Sequence, residues 1–111
     1  ASSAASDVYK EELVRDNIPD IIKQTGDKPD FVILDSPDYY NELKKKLTEE
    51  VSEFNDSDEI MELCDVVEVI SAILDYKNIG DEEFEKMRSA KNKANGKFEK
   101  RIFLNGVDRM K

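Results

Sequence analysis

Four carboxylates in the middle of the chain are spaced so that together they could hold a cation. Glu50 and Glu53 lie three residues apart, as do Glu62 and Asp65, so each pair projects from one face of its own predicted helix. A turn between the helices would bring the pairs together, and four carboxylates this close repel unless a cation lies between them. Ligands that are all oxygen favour magnesium, manganese or calcium over zinc.

Glu50 has the most unusual position of the four acids, because it falls inside an apolar stripe at helical spacing. The stripe consists of Leu43, Leu47, Val51 and Phe54. A buried carboxylate without a counter-charge is strongly destabilising, and a bound metal, rather than a protein group, would supply that charge. Acidic pairs at this spacing also occur on solvated helix faces, so spacing alone supports a metal site and a solvated acidic face about equally.

Three other residues near the acidic pairs are assigned to structure or surface. Glu49 is expected to point outward, and Glu68 is interpreted as a surface charge rather than a ligand one turn deeper. Cys64, the single cysteine, lies among apolar residues and is expected to be an inert core thiol. The chain has no histidine, which excludes Ser/His and Cys/His catalysis and the usual zinc sites.

Two central helices are predicted to position the acidic pairs. Ser36 followed by Pro37 indicates a helix start, and helical periodicity continues to about Phe54. Residues 55–58 predict the turn, and the next helix runs from about residue 58 to 77. That helix is apolar on more than one face, which indicates cover by neighbouring helices or by a second subunit. Because about four helices are available, a dimer is favoured.

A short helix is predicted before this pair. It covers residues 18–24, with Asp16 or Asn17 as its cap and Gly26 as its stop. Residues 27–35 contain the only β-like run, which is short and isolated between turn residues. We therefore expect an extended connector there rather than a strand of a sheet.

A fourth helix is predicted from a cap at Asp81 to Gly96, and a basic and apolar tail follows it. Residues 1–8 are small and polar, and we interpret them as a disordered tail or a remnant of cloning. Residues 9–111 are predicted to form a single all-α domain, a bundle of four to five helices completed by dimerisation.

The net charge of the chain excludes some classes of binding partner and favours others. The 111 residues carry a net charge of −9, which argues against a nucleic-acid backbone or an anionic membrane surface as partner, whereas divalent cations suit it. No stretch has the length of a membrane span or the pattern of a signal peptide. We expect a cytoplasmic protein.

Four segments resemble one known family in their order along the chain. They are EELVRDNIPDII, LTEEVSEF, ELCDVVEVISAI and NGKFEKRIFL, and the resemblance as a whole covers roughly residues 9–107. The family is the MazG-like and phosphoribosyl-ATP pyrophosphohydrolase-like branch of the all-α nucleoside triphosphate pyrophosphohydrolases. Its E-x-x-E and E-x-x-D motifs match the two acidic pairs, and its K-F-x-x-R motif matches Lys97, Phe98 and Arg101.

The resemblance implies a dimeric or tetrameric enzyme that cleaves a nucleotide between its α and β phosphates, giving a monophosphate and pyrophosphate. The ligands of Mg²⁺, or of Mn²⁺, would be Glu50, Glu53, Glu62 and Asp65. Glu50 and Glu53 are the candidate catalytic residues, with Glu53 as the base that takes a proton from water.

Five basic residues are candidates for contacts to the substrate phosphates. They are Lys97, Arg101, Lys93, Arg15 and Arg88. Lys97 and Arg101 lie four residues apart in the matched motif, and together they could reach one side of a triphosphate.

The substrate base is left open, because no set of residues identifies it. A house-cleaning enzyme for non-standard nucleotides and the phosphoribosyl-ATP pyrophosphohydrolase of histidine biosynthesis fit the same acids, and the VRDNIP segment favours the former. A further alternative is a non-catalytic acidic helical module that binds a partner or a cation. Such a module needs no phosphate ligands, so Lys97 and Arg101 favour the enzyme.

Overall fold

The computed structural model describes residues 11–109, and all regular secondary structure in that range is α-helical. The predicted all-α class is therefore confirmed for the described residues. The predicted tail at residues 1–8 lies outside them. The chain divides into two compact units, residues 1–78 and 79–111, with three of the described helices in the first unit and one in the second.

The first helix, α1, covers Ile18–Gln24. Asn17 occupies its N-cap position, and Pro19 lies in the first turn, where the missing N–H costs no intrahelical hydrogen bond. Just after the helix Gly26 has φ 90°, a left-handed conformation that glycine adopts without strain. Residues 27–35 form neither a helix nor a strand, which confirms the predicted connector in place of a strand of a sheet.

The second and third helices, α2 at Ser36–Ser57 and α3 at Ile60–Tyr76, form a helical hairpin. The side chain of Asp35 caps α2 by accepting a hydrogen bond from the backbone N–H of Asp38, at 3.1 Å. The two helices run antiparallel, since the Tyr40 and Tyr76 rings stack at the end opposite the link, with centroids 4.8 Å apart.

The predicted turn at residues 55–58 is wrong in its extent, because residues 55–57 belong to α2. The link is only Asp58 and Glu59. Asp58 alone reverses the chain, with φ 60° and its N–H bonded to the carbonyl of Phe54 at 2.7 Å. Aspartate is one of the few residues that tolerate this left-handed conformation.

The core of the hairpin is small. Among the described residues, the buried hydrophobic side chains are Leu43 of α2, 3% exposed, and Val69 of α3, 8% exposed. Val51 was predicted in the buried stripe but lies at its edge and is 41% exposed. The side of α3 that faces α2 is therefore covered, whereas most of the remaining surface of α3 is exposed.

A second apolar side of α3 is left open by the described residues. Ile60, Leu63 and Val67 lie on it, and Val67 is 62% exposed. Cys64 is also exposed, so the prediction of a core thiol is wrong. The reason is that α3 is apolar on more than one face, and α2 covers only one of them.

The second unit contains α4, Asp81–Asn95. Asp81 is its first helical residue, and Gly80 occupies the N-cap position, which corrects the predicted Asp81 cap. Gly96 ends α4 with φ 84°, as predicted. Of the helices within residues 11–109, none combines the length and apolar character needed to cross a membrane.

Candidate metal centre

The hairpin brings the two acidic pairs together near its link. Carboxylate oxygens of Glu50, Glu62 and Asp65 lie within 4.8 Å of one another. A second group with the same spread joins Glu50 to Glu53 and Glu49. Each of the four predicted ligands thus belongs to at least one group, and Glu50 belongs to both. The antiparallel arrangement brings the pairs together because one pair lies in the C-terminal part of α2 and the other lies in the first turns of α3.

Glu50 is the buried member of these groups, with 7% of its surface exposed. Burial raises the pKa of its carboxyl group, and the charge of Glu53 raises it further, while the nearby Lys46 ammonium lowers it. The neutral form of Glu50 is therefore favoured more than that of an ordinary surface glutamate. A divalent cation would reverse this preference, since it binds the carboxylate.

Lys46 is a member of the site that the sequence interpretation missed. Its Nζ lies 2.8 Å from a carboxylate oxygen of Glu12, 2.9 Å from one of Glu49 and 3.6 Å from Oε1 of Glu50. The last distance is that of an ion pair rather than a hydrogen bond, and the pKa of Glu50 stays raised despite it, so Lys46 compensates only partly for the burial of Glu50. This corrects the expectation that the counter-charge would come from a metal rather than from the protein.

The position of Lys46 in the sequence did carry a signal. It precedes Glu49 by three residues and Glu50 by four, which places all three on one side of a helix. Burial by itself lowers the pKa of the Lys46 ammonium, but the hydrogen bonds that it donates to the carboxylates of Glu12 and Glu49, together with their charges, outweigh burial, so the pKa is raised. Lys46 therefore remains charged beside the acids.

Glu49 does not point outward as predicted, since its carboxylate lies with Glu50 and Glu53 and pairs with Lys46. The attraction of the Lys46 ammonium accounts for this orientation. Glu68 is exposed, which confirms its assignment to the surface. Glu53 is exposed as well, so its carboxylate is accessible to water.

Glu62 shows the effect of crowding among the acids. The pKa of its carboxyl group is raised by desolvation first, then by the charges of Glu53 and Asp65. The repulsion expected among the four carboxylates is therefore present, and it raises the pKa values of Glu50 and Glu62.

Arg15, the basic candidate of the first unit, lies against the acidic cluster. Its Nη2 donates a hydrogen bond to Oδ1 of Asp65 at 2.6 Å, and 57% of its side chain is exposed. The hydrogen bond to Asp65 raises the pKa of the guanidinium, and the charges of Glu68 and Glu50 also raise it. In this arrangement Arg15 binds a predicted metal ligand instead of a phosphate.

The other four basic candidates belong to the second unit. Arg88 is bound to Glu85 by two hydrogen bonds, at 2.6 and 2.8 Å, along one side of α4. Lys93 is exposed in the last turn of α4, and Lys97 is exposed just beyond it. Arg101 is also exposed, and its backbone N–H donates a hydrogen bond to the carbonyl of Phe98, at 3.2 Å, which closes a turn.

The chemistry of the donor set fits a hard divalent cation. Every candidate ligand in the two groups is a carboxylate oxygen, the ligand type that Mg²⁺ and Mn²⁺ favour. The group of Glu49, Glu50 and Glu53 faces an open cleft of about 550 Å³. Its lining residues are Glu12, Lys46, Glu49, Glu50, Ser52 and Glu53. A large charged ligand can therefore approach from solvent.

Comparisons of the chain with protein-family models, curated proteins and solved structures found no match.

Proposed function

We propose that the chain is a Mg²⁺-dependent pyrophosphohydrolase that cleaves nucleoside triphosphates, or related nucleotides, between the α and β phosphates. The observation that supports this most is the buried Glu50, which belongs to two groups of carboxylates whose oxygens lie within 4.8 Å of one another. A solvated acidic face does not require a carboxylate in the core of the hairpin. The E-x-x-E, E-x-x-D and K-F-x-x-R motifs supply the reaction class.

The roles of the acids follow from their exposure. In the proposal, Glu50, Glu62 and Asp65 hold the cation, and Glu53 contributes from the solvent side. When bound, the cation neutralises polyphosphate charge and lowers the pKa of water. Glu53 is the exposed carboxylate beside Glu50, and we assign to it the removal of the proton from the attacking water.

The reaction class is tested by measuring phosphate products from a panel of nucleotides. The panel contains standard and non-standard nucleoside triphosphates and phosphoribosyl-ATP, each incubated with Mg²⁺, with Mn²⁺ or with a chelator. We expect pyrophosphate and the nucleoside monophosphate in equal amounts, only when metal is present. The preferred nucleotide would identify the base and would distinguish house-cleaning from histidine biosynthesis. Orthophosphate with a nucleoside diphosphate, or no product at all, would contradict the proposal.

The proposed phosphate contact of Arg101 gives a separate prediction. Replacing Arg101 with Ala should lower kcat/KM by about 10-fold or more, because a charge-assisted hydrogen bond to phosphate contributes about 1.5–3 kcal/mol. The loss falls on KM, on kcat or on both. Steady-state kinetics of pyrophosphate release measures it.

Arg109→Ala is the matched control for Arg101→Ala, since Arg109 is also an exposed arginine of the second unit. It should retain the parent kcat/KM. Metal affinity, measured by calorimetry without nucleotide, should be the same in both variants and the parent. If Arg101→Ala weakened metal binding as much as catalysis, Arg101 would be shaping the acidic site or the fold rather than holding phosphate.

We also propose that the chain is a homodimer or homotetramer in which the open side of α3 lies at a subunit interface. Ile60 and Val67 on that side are 71% and 62% exposed within one chain. Burying apolar surface of this kind contributes about 25 cal/mol per Å². A small core and a broad apolar surface on the same helix both favour association.

Light scattering at micromolar concentration should give a mass of at least twice the 12.7 kDa of one chain. Val67→Glu should shift the mass towards the monomer, because a carboxylate at an apolar interface would be desolvated without a partner. Val32→Glu is the matched control, since Val32 is 75% exposed in the connector before α2. A monomeric parent chain, or equal dissociation in both variants, would contradict the proposed interface.

A further inference from the structure

Arg15 binds the acidic cluster from outside the hairpin. It lies in the segment before α1, and its Nη2 donates to Oδ1 of Asp65 at 2.6 Å. The same segment is also held by Glu12, whose carboxylate lies 2.8 Å from Nζ of Lys46 on α2. Two ion pairs therefore connect residues 12–15 to the hairpin, one on each of its helices.

These two ion pairs differ in their relation to the candidate metal ligands. Asp65 belongs to the group in which carboxylate oxygens lie within 4.8 Å of one another, and Arg15 binds Oδ1, one of the two oxygens of that carboxylate. Glu12 belongs to neither group and reaches the candidate ligands only through Lys46, which also pairs with Glu49 and Glu50. A cation held by Asp65 and Glu50 would lie close to the guanidinium, and like charges at that distance repel.

We propose that Arg15 and a divalent cation are mutually exclusive partners of Asp65, so that metal binding releases the Arg15 side chain. This inference rests on the proposed function and adds an order of events to it. The Glu12–Lys46 pair keeps the segment against the hairpin, so the released guanidinium stays beside the cleft. There it binds the phosphates of the nucleotide. Arg15 thus binds Asp65 in the metal-free protein and the substrate in the metal-bound protein.

The exchange is tested by NMR of the arginine side chains during titration of the full chain with Mg²⁺. The chain contains four arginines, so their Nε–Hε signals are few, and the Arg15 signal is identified by its loss in Arg15→Gln. We expect saturating Mg²⁺ to move the Arg15 signal to the position of a free, solvated arginine. The Arg88 signal should not move, since its Nε donates to Glu85 at 2.8 Å on α4.

Calorimetry gives an independent readout without substrate. Arg15→Gln should bind Mg²⁺ or Mn²⁺ about two- to five-fold more tightly than the parent, the range expected when one exposed ion pair no longer has to be broken. Arg88→Gln is the matched control, because it removes the same charge and breaks an ion pair of the same 2.6 Å length. Its metal affinity should equal that of the parent.

The possible outcomes separate this inference from the proposed function. If Mg²⁺ binds and the Arg15 signal moves while that of Arg88 does not, the exchange is supported. If Mg²⁺ saturates the parent chain but the Arg15 signal keeps its ion-paired position, the exchange is wrong and the metal site stands. If the parent chain shows no saturable Mg²⁺ or Mn²⁺ binding, the proposed function and the exchange both fail.

Discussion

Replacing Glu50 with Gln should abolish the response of the protein to metal and reduce pyrophosphate release by about 100-fold or more. Glu50 is the acid shared by both carboxylate groups, and glutamine keeps its shape while removing its charge. In the parent chain, metal at about one hundred times its dissociation constant adds about 2.7 kcal/mol to the free energy of unfolding. For a domain of this size, that raises the melting temperature by about 10 °C.

The thermal stability of Glu50→Gln without metal gives a second expectation. Because burial and the charge of Glu53 raise the pKa of Glu50, ionising this carboxyl group is less favourable in the folded protein than in the unfolded chain. Glu50→Gln without metal should therefore melt at the same temperature as the parent or higher. Thermal unfolding with a chelator and with Mg²⁺ measures both effects.

Glu83→Gln is the matched control for Glu50→Gln, since it removes an exposed carboxylate from α4. It should keep the metal-induced rise in melting temperature and the parent rate of pyrophosphate release. If Glu50→Gln unfolded the metal-free protein, the carboxylate would be required by the fold, and its pairing with Lys46 would be the reason for its burial. If the variant kept activity and metal response, Glu50 would not be a ligand.

Replacing Leu43 with Ala should lower the free energy of unfolding by about 2–4 kcal/mol. Leu43 is 3% exposed and is one of two buried hydrophobic side chains among the described residues, so little else compensates for its loss. The melting temperature should fall by about 10 °C or more, because a domain of this size loses several degrees per kcal/mol. Chemical or thermal unfolding followed by circular dichroism gives the value.

Leu104→Ala makes the same chemical change at a residue that is 71% exposed in the tail of the second unit. It should change the free energy of unfolding by no more than about 0.5 kcal/mol. A loss as large as that of Leu43→Ala would mean that Leu104 is buried in an assembly of chains. A small decrease in the free energy of unfolding for Leu43→Ala would mean that the stability of the hairpin does not depend on its buried hydrophobic side chains.

The helices could be predicted because their signals are local. Helical periodicity marks α2 and α3, and the start of α2 follows from Ser36 and Pro37. The link between them was predicted too long, because the polar residues 55–57 resemble a turn. A single aspartate in the left-handed conformation, Asp58, suffices to reverse the chain. Sequence periodicity does not reveal that choice.

The ligand set could be predicted for a similar reason, since spacing of three along a helix fixes the direction of both side chains. The partners of these ligands could not. Arg15 is 50 residues from Asp65 in sequence, and Glu12 is 34 residues from Lys46. Contacts over such distances depend on how the segment before α1 packs, and no local pattern encodes that packing.

The exposure of Cys64 shows a different limit. Apolar residues cover several sides of α3, and periodicity does not distinguish the side that packs within the chain from a side left open. In the structure α2 covers the side with Val69, so Cys64 and Val67 remain exposed. The proposed subunit interface would account for Val67.

The most direct test of the central claim is a calorimetric titration of Mn²⁺ into the metal-free parent chain and into Glu50→Gln under the same conditions. The claim is that the carboxylates around Glu50 form a cation site rather than a solvated acidic face. A cation site predicts saturable heat in the parent chain, which Glu50→Gln loses while it stays folded. No saturable heat in the parent, or the same binding curve in both proteins, would contradict the claim.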